Sequence, residues 1–190
     1  WYAQQKITDL NMGLFSDCKD WVFNHFAFVP NSYQYMLTSN RPGESLLTLA
    51  KNVKADAFNF DGFFIDPYNS LQTQNYFEHY ENAGKMRAFV KHLKVKLMVS
   101  MHVLSEAQRT RDKEGNIKCP HISHLEHGSM WFNRCDDAVT IHRHTQDEER
   151  RRITEIHVQK IKHCRSGGEC TLHESPIELQ WDYRFNGFRW

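Results

Sequence analysis

The sequence predicts an α/β protein in which a parallel sheet flanked by helices is followed by antiparallel strands, and three stretches carry this prediction. The apolar run at 62–65 ends in Asp66 and Pro67, as a buried strand does when it leaves a sheet, because proline lacks the N–H that a ladder needs. Apolar residues recur at helical spacing over 76–93, and a second apolar run follows at 96–102. Strand, helix and strand in this order predict a right-handed parallel unit.

Length and composition are those of a globular protein. The 190 residues are predicted to form one domain, 1–190, and the hydrophobic content of 40% is ordinary. The 190 residues contain no apolar run of the length of a membrane span and no secretory h-region. The formal net charge is only +1, so any nucleic-acid contact must come from local basic patches. The five cysteines show no CxxC spacing, which predicts free thiols in a reducing compartment.

The part of the chain before the parallel unit is predicted to be mainly helical. The spacing of apolar residues in 1–25 is compatible with two short helices broken near Gly13. The apolar run at 26–29 predicts a short buried strand that enters a loop. Apolar residues at helical spacing over 46–53 predict a helix that leads into the first parallel strand.

The part after the parallel unit is predicted to begin with a long polar loop, 103–127, and to end in strands. Two runs, 138–142 and 154–161, are separated by a short charged turn and predict a β-hairpin. Two further strand-like runs lie at 171–174 and 177–182. The chain is therefore expected to finish in antiparallel β-structure.

Polar side chains follow both predicted parallel strands. Asp66 ends the first and His102 ends the second, so the two residues are expected at the same edge of one sheet. Ligands gather outside the carboxyl ends of strands in such sheets, where a carboxylate can hold a metal or orient a water. On local sequence alone, capping of the following helix explains Asp66 equally well.

A cysteine and three histidines within 119–127 raise the question of zinc. They match no standard finger spacing, and a second cysteine pair is missing nearby, so a polar loop is the preferred interpretation. A zinc-dependent nuclease is a distant third hypothesis for the function. The four residues are Cys119, His121, His124 and His127.

Four stretches occur in the same order as four motifs of one enzyme family. They are IDPYN at 65–69, VSMH at 99–102, the stretch at 127–143 and VQKIKHCRSGGE at 158–169. They resemble the Walker B strand, the strand that ends in a polar sensor, the fourth helicase motif and the closing strand of hexameric replicative helicases. The resemblance is to the DnaB and Twinkle group, most closely its phage primase-helicase branch, and it spans about two-thirds of the chain.

The resemblance implies a fold and an activity. The fold would be a RecA-like, mostly parallel sheet flanked by helices, and the activity would be ATP- and Mg²⁺-dependent movement along single-stranded DNA. It also implies a homo-hexameric ring, primase as a further partner, no membrane, and a cytoplasmic or nucleoid-associated place in a bacterial or phage-infected cell.

The resemblance also assigns roles at the nucleotide. Asp66 would orient Mg²⁺, Asn69 would help to position the metal or a water, and His102 would sense the γ-phosphate. The simpler alternatives are a turn asparagine and a core histidine. Lys160, Lys162 and Arg165 would act in trans on the nucleotide of the adjacent subunit.

Basic residues of the polar loop are the expected DNA contacts, with a solvated loop as the alternative. Trp131 and Phe132 could stack on bases, but core packing is expected for both. The predicted phosphate contacts are Arg109, Arg111, Lys113, Lys118 and Arg134.

The chain departs from the family pattern in three places, one of which is Val103, where relatives often have proline after the sensor histidine. It contains no G-x-x-x-x-G-K-[ST] phosphate loop, which by the order of the family would precede Trp1. It also has Lys160-Ile161-Lys162 where the family has Lys-x-Arg, and lysine cannot reproduce the forked grip of arginine on phosphate. Two hypotheses follow: part of an ATP-driven helicase, or a non-catalytic ATPase-like domain that binds single-stranded DNA or a replisome partner.

Overall fold

The computed structural model describes residues 12–29, 45–56, 59–71, 75–111, 113, 115–184 and 187–189. They form a mixed α/β protein with a two-stranded parallel sheet and a separate four-stranded antiparallel sheet. The predicted change from α/β to antiparallel β along the chain is thereby confirmed. Within these residues, no helix combines the length and the apolar character that crossing a membrane requires.

Helices dominate the first part and strands the last part. The α-helices are α1 Met12–His25, α2 Leu46–Asp56, α3 Tyr76–Leu93, α4 Ser105–Arg109, α5 Gly128–Arg134 and α6 Cys164–Gly167. Short 3₁₀ helices occupy Tyr68–Ser70 and Ile122–His124. The strands are β1 Gly62–Ile65, β2 Lys96–Val99, β3 Ala138–Arg143, β4 Ile153–Lys160, β5 Ile177–Asp182 and β6 Gly187–Arg189.

The predicted strand, helix and strand unit is confirmed, but the prediction that both strands are buried is wrong, since Phe64 and Met98 are 55% and 64% exposed. β1 and β2 pair in parallel, and Ile65 lies opposite Val99. The Asn75 side chain accepts a hydrogen bond from the third residue of α3 and so satisfies one free N–H at its start. Lys94 ends the helix in the left-handed conformation, with φ of 54°.

The core lies where α2, α3 and α5 meet the parallel sheet. α3 buries Ala83, Met86 and Phe89 at the predicted helical spacing, whereas the first two residues of the predicted apolar face, Tyr76 and Tyr80, are 44% and 45% exposed. Trp131 from α5, only 7% exposed, packs into the same cluster. Core packing is thus confirmed for Trp131, whereas Phe132 is half-buried. The buried core residues are Leu46, Leu47, Ala50, Ile65, Tyr68, Ala83, Met86, Phe89, Val95, Met130 and Trp131.

Helix α5 begins at a glycine for a steric reason. A Cβ atom on Gly128 would lie 2.6 Å from the carbonyl oxygen of Ile122 and from backbone atoms of Ser123. Contacts this short cannot be relieved by moving a side chain, because both neighbours are backbone. The close approach allows α5 to pack directly on the 3₁₀ turn before it.

Two predictions for the first part of the chain are wrong. The run 26–29 is irregular chain rather than a buried strand: the Phe26 N–H still bonds to the carbonyl of Val22 in α1, and the aromatic side chains Phe26 and Phe28 are 51% and 71% exposed. Gly13 lies inside α1 instead of breaking it. Residues 1–11 and Pro30 lie outside the described part, so the first of the two predicted helices stays a prediction.

The antiparallel sheet has the order β3-β4-β5-β6, and the predicted hairpin of β3 and β4 is confirmed. The run 171–174 is not a strand: Leu172 and Ser175 bridge each other, which folds the segment into a tight turn. The predicted long loop is also more ordered than expected. It contains α4 and two bridges, Val103 to Leu125 and Arg111 to Ile117.

A buried carboxylate, Glu155 on β4, connects the hairpin strands with the turn between them. It is only 6% exposed. The Nε2 atoms of His144 and His157 donate hydrogen bonds to it at 2.9 and 3.0 Å, and the guanidinium of Arg150 donates one at 2.5 Å. Burial alone would raise the pKa of Glu155, but the bonds from His157 and His144 and the charge of Arg150 outweigh it and lower the pKa to about 2.

This network predicts that Glu155→Gln removes part of the acid sensitivity of the fold. The pKa of Glu155 is about 2 in the folded chain against an ordinary 4.5, so its stabilisation is complete above about pH 5 and is lost as the pH falls toward 2. That shift of the Glu155 pKa corresponds to about 3 kcal/mol of stabilisation of the folded chain at neutral pH. Urea unfolding in metal-free buffer should show a gap of about 3 kcal/mol between wild type and variant at pH 7 that closes near pH 2.

The matched control is Glu178→Gln, since Glu178 is exposed and accepts from the same Arg150 at 3.1 Å. Its gap to wild type should stay within about 1 kcal/mol. Burial lowers the pKa of His142, so His142 adds acid destabilisation below its ordinary pKa of 6.5, equally in wild type and in Glu178→Gln. The charge of Glu155 raises the pKa of His142, so this acid destabilisation is larger in Glu155→Gln. A gap between wild type and Glu155→Gln that does not change with pH would contradict the prediction.

Candidate functional site at the edge of the parallel sheet

The carboxyl ends of β1 and β2 are joined by hydrogen bonds between the loops that follow them. The Ser100 hydroxyl donates to the Asp66 carboxylate. The side-chain oxygen of Asn69 accepts from the backbone N–H of His102 at 2.8 Å, and the backbone N–H of Tyr68 donates to the carbonyl of Ser100 at 2.9 Å. The expectation that Asp66 and His102 share one edge of a sheet is confirmed.

Tyr68 anchors this edge to the core from below. It is 1% exposed, its hydroxyl lies 3.2 Å from Nδ1 of His79, and the Asn82 side chain donates to the hydroxyl at 3.2 Å. The edge of its ring meets Trp131 with 4.9 Å between ring centroids. Burial raises the pKa of Tyr68 and lowers the pKa of His79, so both groups are neutral at pH 7. The loop that follows Asp66 is therefore fixed to neutral, packed side chains.

The side chains above this anchor face solvent. Asp66, Asn69 and His102 are all exposed. The edge thus offers a carboxylate, an amide oxygen, an imidazole and the Ser100 hydroxyl. Sequence reasoning missed Ser100, although the parallel register places it one residue beyond the Ile65–Val99 pair and therefore beside Asp66.

The donor set at this edge suits Mg²⁺. This ion prefers oxygen ligands, keeps several waters and is usually held by one or two carboxylates together with substrate phosphates. Asp66 supplies one carboxylate and Ser100 a neighbouring hydroxyl, whereas Asn69 uses its oxygen to hold the backbone of His102. Asp66 belongs to neither of the two three-residue clusters in the described part of the chain that could hold a metal by protein ligands alone.

The three predicted trans-acting residues have different surroundings. The Lys160 ammonium donates to the carbonyls of Phe132 and Cys135, the latter at 2.8 Å, and so caps the end of α5. The Lys162 ammonium lies 2.6 Å from the Asp136 carboxylate, and this hydrogen bond lowers the pKa of Asp136. Arg165 lies exposed on α6. Lys162 is exposed as well, whereas Lys160 is half-buried.

The predicted DNA contacts are divided between a loop and a packed site. Lys118 donates its backbone N–H to the carbonyl of Thr110 at 2.9 Å, which closes the polar loop into a compact turn. Arg134 instead stacks over the ring of Tyr80, with its guanidinium carbon 3.9 Å from the ring centroid, and is half-buried. The exposed basic side chains of the loop are Arg109, Arg111, Lys113 and Lys118.

The cysteine and histidine residues of 119–127 do not converge on one point. His121 and His124 cap the turn between them: the His121 N–H donates to Nδ1 of His124 at 3.0 Å, and His121 Nδ1 accepts from Ser123 at 3.2 Å. Burial raises the pKa of Cys119 to about 12, so its thiol is protonated at pH 7. In the described residues the two clusters with metal-ligand spacing are His79, Glu126 and His127, and His142, His144 and Glu155.

Comparison with known proteins gives a structural match and no sequence match. No family model matches the chain, and no curated protein matches it. A solved structure of a DnaB-like replicative helicase and its interactions with primase matches over 98% of this chain, with a TM-score of 0.70 and 12% identity. The fold is similar to part of that helicase. The chain spans 43% of the matched chain.

Of the mostly parallel sheet that the four motifs imply, the described residues form only the parallel pair β1 and β2, and their larger sheet is antiparallel. The likeness to the helicase is one of fold. It extends over nearly the whole of the described structure, including the antiparallel sheet after the parallel unit. Assignment to the phage primase-helicase branch stays a prediction.

Proposed function

We propose that the chain is part of an ATP-driven ring helicase or translocase that acts on single-stranded DNA. The observation that carries the proposal is the assembly of Asp66, Ser100, Asn69 and His102 at the carboxyl edge of a parallel strand pair. This is the edge at which open α/β sheets bind ligands. The helicase-like fold of the surrounding chain gives the site its context.

In this proposal each residue of the edge has its own task. Asp66, held by the Ser100 hydroxyl, binds Mg²⁺ through its carboxylate or through water. The ion would supply neutralisation of the charge on the β- and γ-phosphates of ATP. Asn69 fixes the backbone of His102 and thereby places the imidazole at the mouth of the site. His102 acts as the sensor of the terminal phosphate.

The trans-acting task falls to Arg165 in our proposal. Its guanidinium can grip phosphate by two parallel hydrogen bonds, which an ammonium cannot do. Lys160 and Lys162 are engaged with α5 and with Asp136, so we assign them to positioning the segment that carries Arg165. A residue that acts on a neighbour's nucleotide requires a ring, so we also propose a homo-oligomer, hexameric as in the family.

The last part of this proposal concerns the exposed face of the two-stranded parallel sheet. Phe64 and Met98 are register partners on β1 and β2, and they are 55% and 64% exposed. Apolar side chains on neighbouring strands of a parallel sheet are normally covered on both faces. We propose that the phosphate-loop segment of a RecA-like, mostly parallel sheet packs on this face, with 1–190 as one part of that domain.

The proposal is tested by ATP hydrolysis in the full-length protein. Hydrolysis should require Mg²⁺ and rise when single-stranded DNA is added, and ATP should drive separation of a forked duplex. DNA binding without hydrolysis would overturn the helicase proposal and favour the non-catalytic domain. The pairing of Lys160 and Lys162 within the chain is the observation that favours this second candidate.

Removal of the four exposed positive charges of the polar loop is expected to weaken binding of single-stranded DNA to a similar extent whatever the DNA sequence. Each phosphate contact on a single strand contributes about 0.7 to the slope of log K against log salt, so four contacts contribute up to about 2.8. Fluorescence anisotropy with a labelled oligonucleotide, repeated at several salt concentrations, measures both quantities. The variant carries alanine at Arg109, Arg111, Lys113 and Lys118.

A variant with the same loss of charge serves as the control. Four exposed lysines outside the loop are changed to alanine, and the salt slope should stay at the wild-type value. Equal losses in the two variants would show that binding follows net charge and would contradict a DNA site on the loop. The control positions are Lys19, Lys51, Lys91 and Lys96.

A further inference from the structure

A second cluster of ligand side chains lies inside the β3–β4 hairpin, on strands that the proposed nucleotide site does not use. His142 on β3 and Glu155 on β4 are direct register partners, so their side chains lie on the same face of the sheet. His144 follows β3 and turns back onto the same carboxylate. One ligand atom from each of the three residues lies within 4.8 Å of the other two.

The three side chains are shielded from solvent. His142 is 7% and Glu155 6% exposed, and the His144 side chain is 8% exposed. The β3 face opposite to His142 presents Val139 and Ile141, which are 56% and 69% exposed. The polar, titratable face of this hairpin is thus the buried one, which reverses the usual arrangement and calls for a chemical reason.

His142 has an unused ligand atom at this position. Its Nε2 is buried and has no hydrogen-bond partner within the described residues, while the ring is held by a hydrogen bond to the backbone of Ile117. A histidine that binds a metal through one ring nitrogen commonly donates its other N–H to a backbone carbonyl, which fixes the ring orientation. A buried polar atom without a partner is rare enough to need an explanation.

We propose that His142, His144 and Glu155 form a binding site for one divalent transition-metal ion, with Zn²⁺ as the expected occupant. Two imidazoles and one carboxylate are a recognised zinc donor set, and imidazole ligands disfavour Mg²⁺ and Ca²⁺. The ion would use the His142 Nε2 that the protein leaves without a partner. It would cross-link β3 to β4 beside their connecting turn.

The surroundings of Glu155 allow a metal ion to replace two of its hydrogen-bond donors. Oε1 of Glu155 accepts from both His144 and Arg150, and a bound ion would replace these two bonds. Arg150 retains a second carboxylate partner in Glu178, at 3.1 Å. His157 donates to Oε2 at 3.0 Å and so acts as a positioning residue that leaves Oε1 directed toward the histidines.

The geometry requires a small closure and leaves one coordination position open. Bonds of about 2 Å from zinc to nitrogen or oxygen bring ligand atoms to within about 3.5 Å of each other, so the side chains must move by roughly 1 Å. Three protein ligands leave a fourth tetrahedral position for water. A cavity of about 10 Å³ lined by Ile117, His144 and Asp147 has the size of about one water.

An ion-pair network without a metal is the competing explanation. It accounts for His144, His157 and Arg150 around Glu155, because all three donate to the carboxylate. It does not account for His142, whose Nε2 makes no bond in that network. The two explanations therefore differ in what the removal of His142 does.

Zinc titration of the chelator-treated protein tests the site. Zn²⁺ is added in competition with a chromophoric chelator, and metal content after desalting gives the stoichiometry. The wild type should bind one ion per chain, and Zn²⁺ should raise the thermal unfolding midpoint. His142→Ala should weaken binding more than about 100-fold, and His157→Ala about 10- to 100-fold.

Glu148→Gln is the matched control, since Glu148 is an exposed carboxylate on the turn between β3 and β4 and belongs to neither candidate cluster. Its zinc affinity should stay within about threefold of wild type, because exposed surface charges contribute little. His144→Gln provides a second ligand variant in case His142→Ala does not fold, and it should also lose the zinc-dependent rise of the unfolding midpoint.

Three outcomes would overturn the proposal. One is a wild type that retains no zinc at stoichiometric levels. Another is unchanged zinc affinity in both His142→Ala and His144→Gln. The third is loss of zinc binding in His127→Ala, which would place the ion in the cluster of His79, Glu126 and His127. None of these results depends on ATP hydrolysis, so failure of the zinc proposal would leave the helicase proposal untouched, and the reverse also holds.

Discussion

Asp66→Asn is expected to lower DNA-stimulated ATP hydrolysis by the full-length protein at least about 100-fold, with DNA affinity unchanged. The substitution removes the carboxylate that would bind Mg²⁺ but keeps the size of the side chain and an acceptor for the Ser100 hydroxyl. Loss of one preorganised electrostatic contact to a charged transition state costs about 100- to 1000-fold in kcat. Steady-state phosphate release at saturating ATP, with and without single-stranded DNA, measures the change.

The opposite end of the same strand supplies the control. Asp61 is exposed and precedes β1, and only its backbone carbonyl takes part in the sheet, accepting from Lys96 at 2.8 Å. Asp61→Asn should therefore hydrolyse ATP at about the wild-type rate. Strand separation by Asp66→Asn at the wild-type rate would refute the assignment of the metal ligand.

Trp131→Ala is expected to lower the free energy of unfolding by about 3 to 5 kcal/mol, the usual cost of deleting a large buried aromatic side chain. The indole is 7% exposed and packs edge-on against Tyr68, so its removal leaves a cavity directly below the sheet edge. Its N–H has no hydrogen-bond partner in the described structure. Trp131→Phe, which deletes that N–H but keeps an aromatic ring, should cost less. Urea unfolding followed by circular dichroism gives both values.

An exposed tryptophan is the comparison. Trp21 on α1 is 55% exposed, so Trp21→Ala should change the free energy of unfolding by less than about 1 kcal/mol. Equal costs for the two tryptophans would mean that Trp131 is not a core residue in solution.

Sequence patterns predicted the elements whose causes are local. Helix α3 has the bounds that the apolar spacing gives, because a long amphipathic repeat and a capping asparagine act within the segment itself. The apolar runs of β1 and β2 and the hairpin of β3 and β4 were predictable for the same reason. The common edge for Asp66 and His102 followed from topology, since parallel strands place their carboxyl ends together.

Elements that depend on distant partners were not predictable in this way. Helix α5 spans only seven residues, too few for a periodic pattern, and depends on Gly128 fitting against a neighbouring turn. The apolar run at 26–29 is the converse case, since high hydrophobicity did not produce a strand in a segment for which no ladder partner is described. The same holds for 171–174, which bonds to itself in a turn.

The candidate sites also differ in whether their residues meet through local sequence or through distant partners. Ser100 required the parallel register, and the internal partners of Lys160 and Lys162 lie 25 or more residues away in sequence. The His142 cluster required the pairing of β3 with β4, which places His142 opposite a glutamate 13 positions later. Spacing along the chain instead drew attention to His121 and His124, which only cap their own turn.

The two bonds of Lys160 to the end of α5 have a mechanical consequence. Tyr68 follows Asp66 by two residues and packs against Trp131 of α5, and Lys160 ties the end of α5 to the last residue of β4. Arg165 lies five residues after Lys160. A continuous set of packed and hydrogen-bonded groups thus connects the sheet edge with the basic segment. Any shift of one end must therefore either carry the other end with it or break one of these contacts.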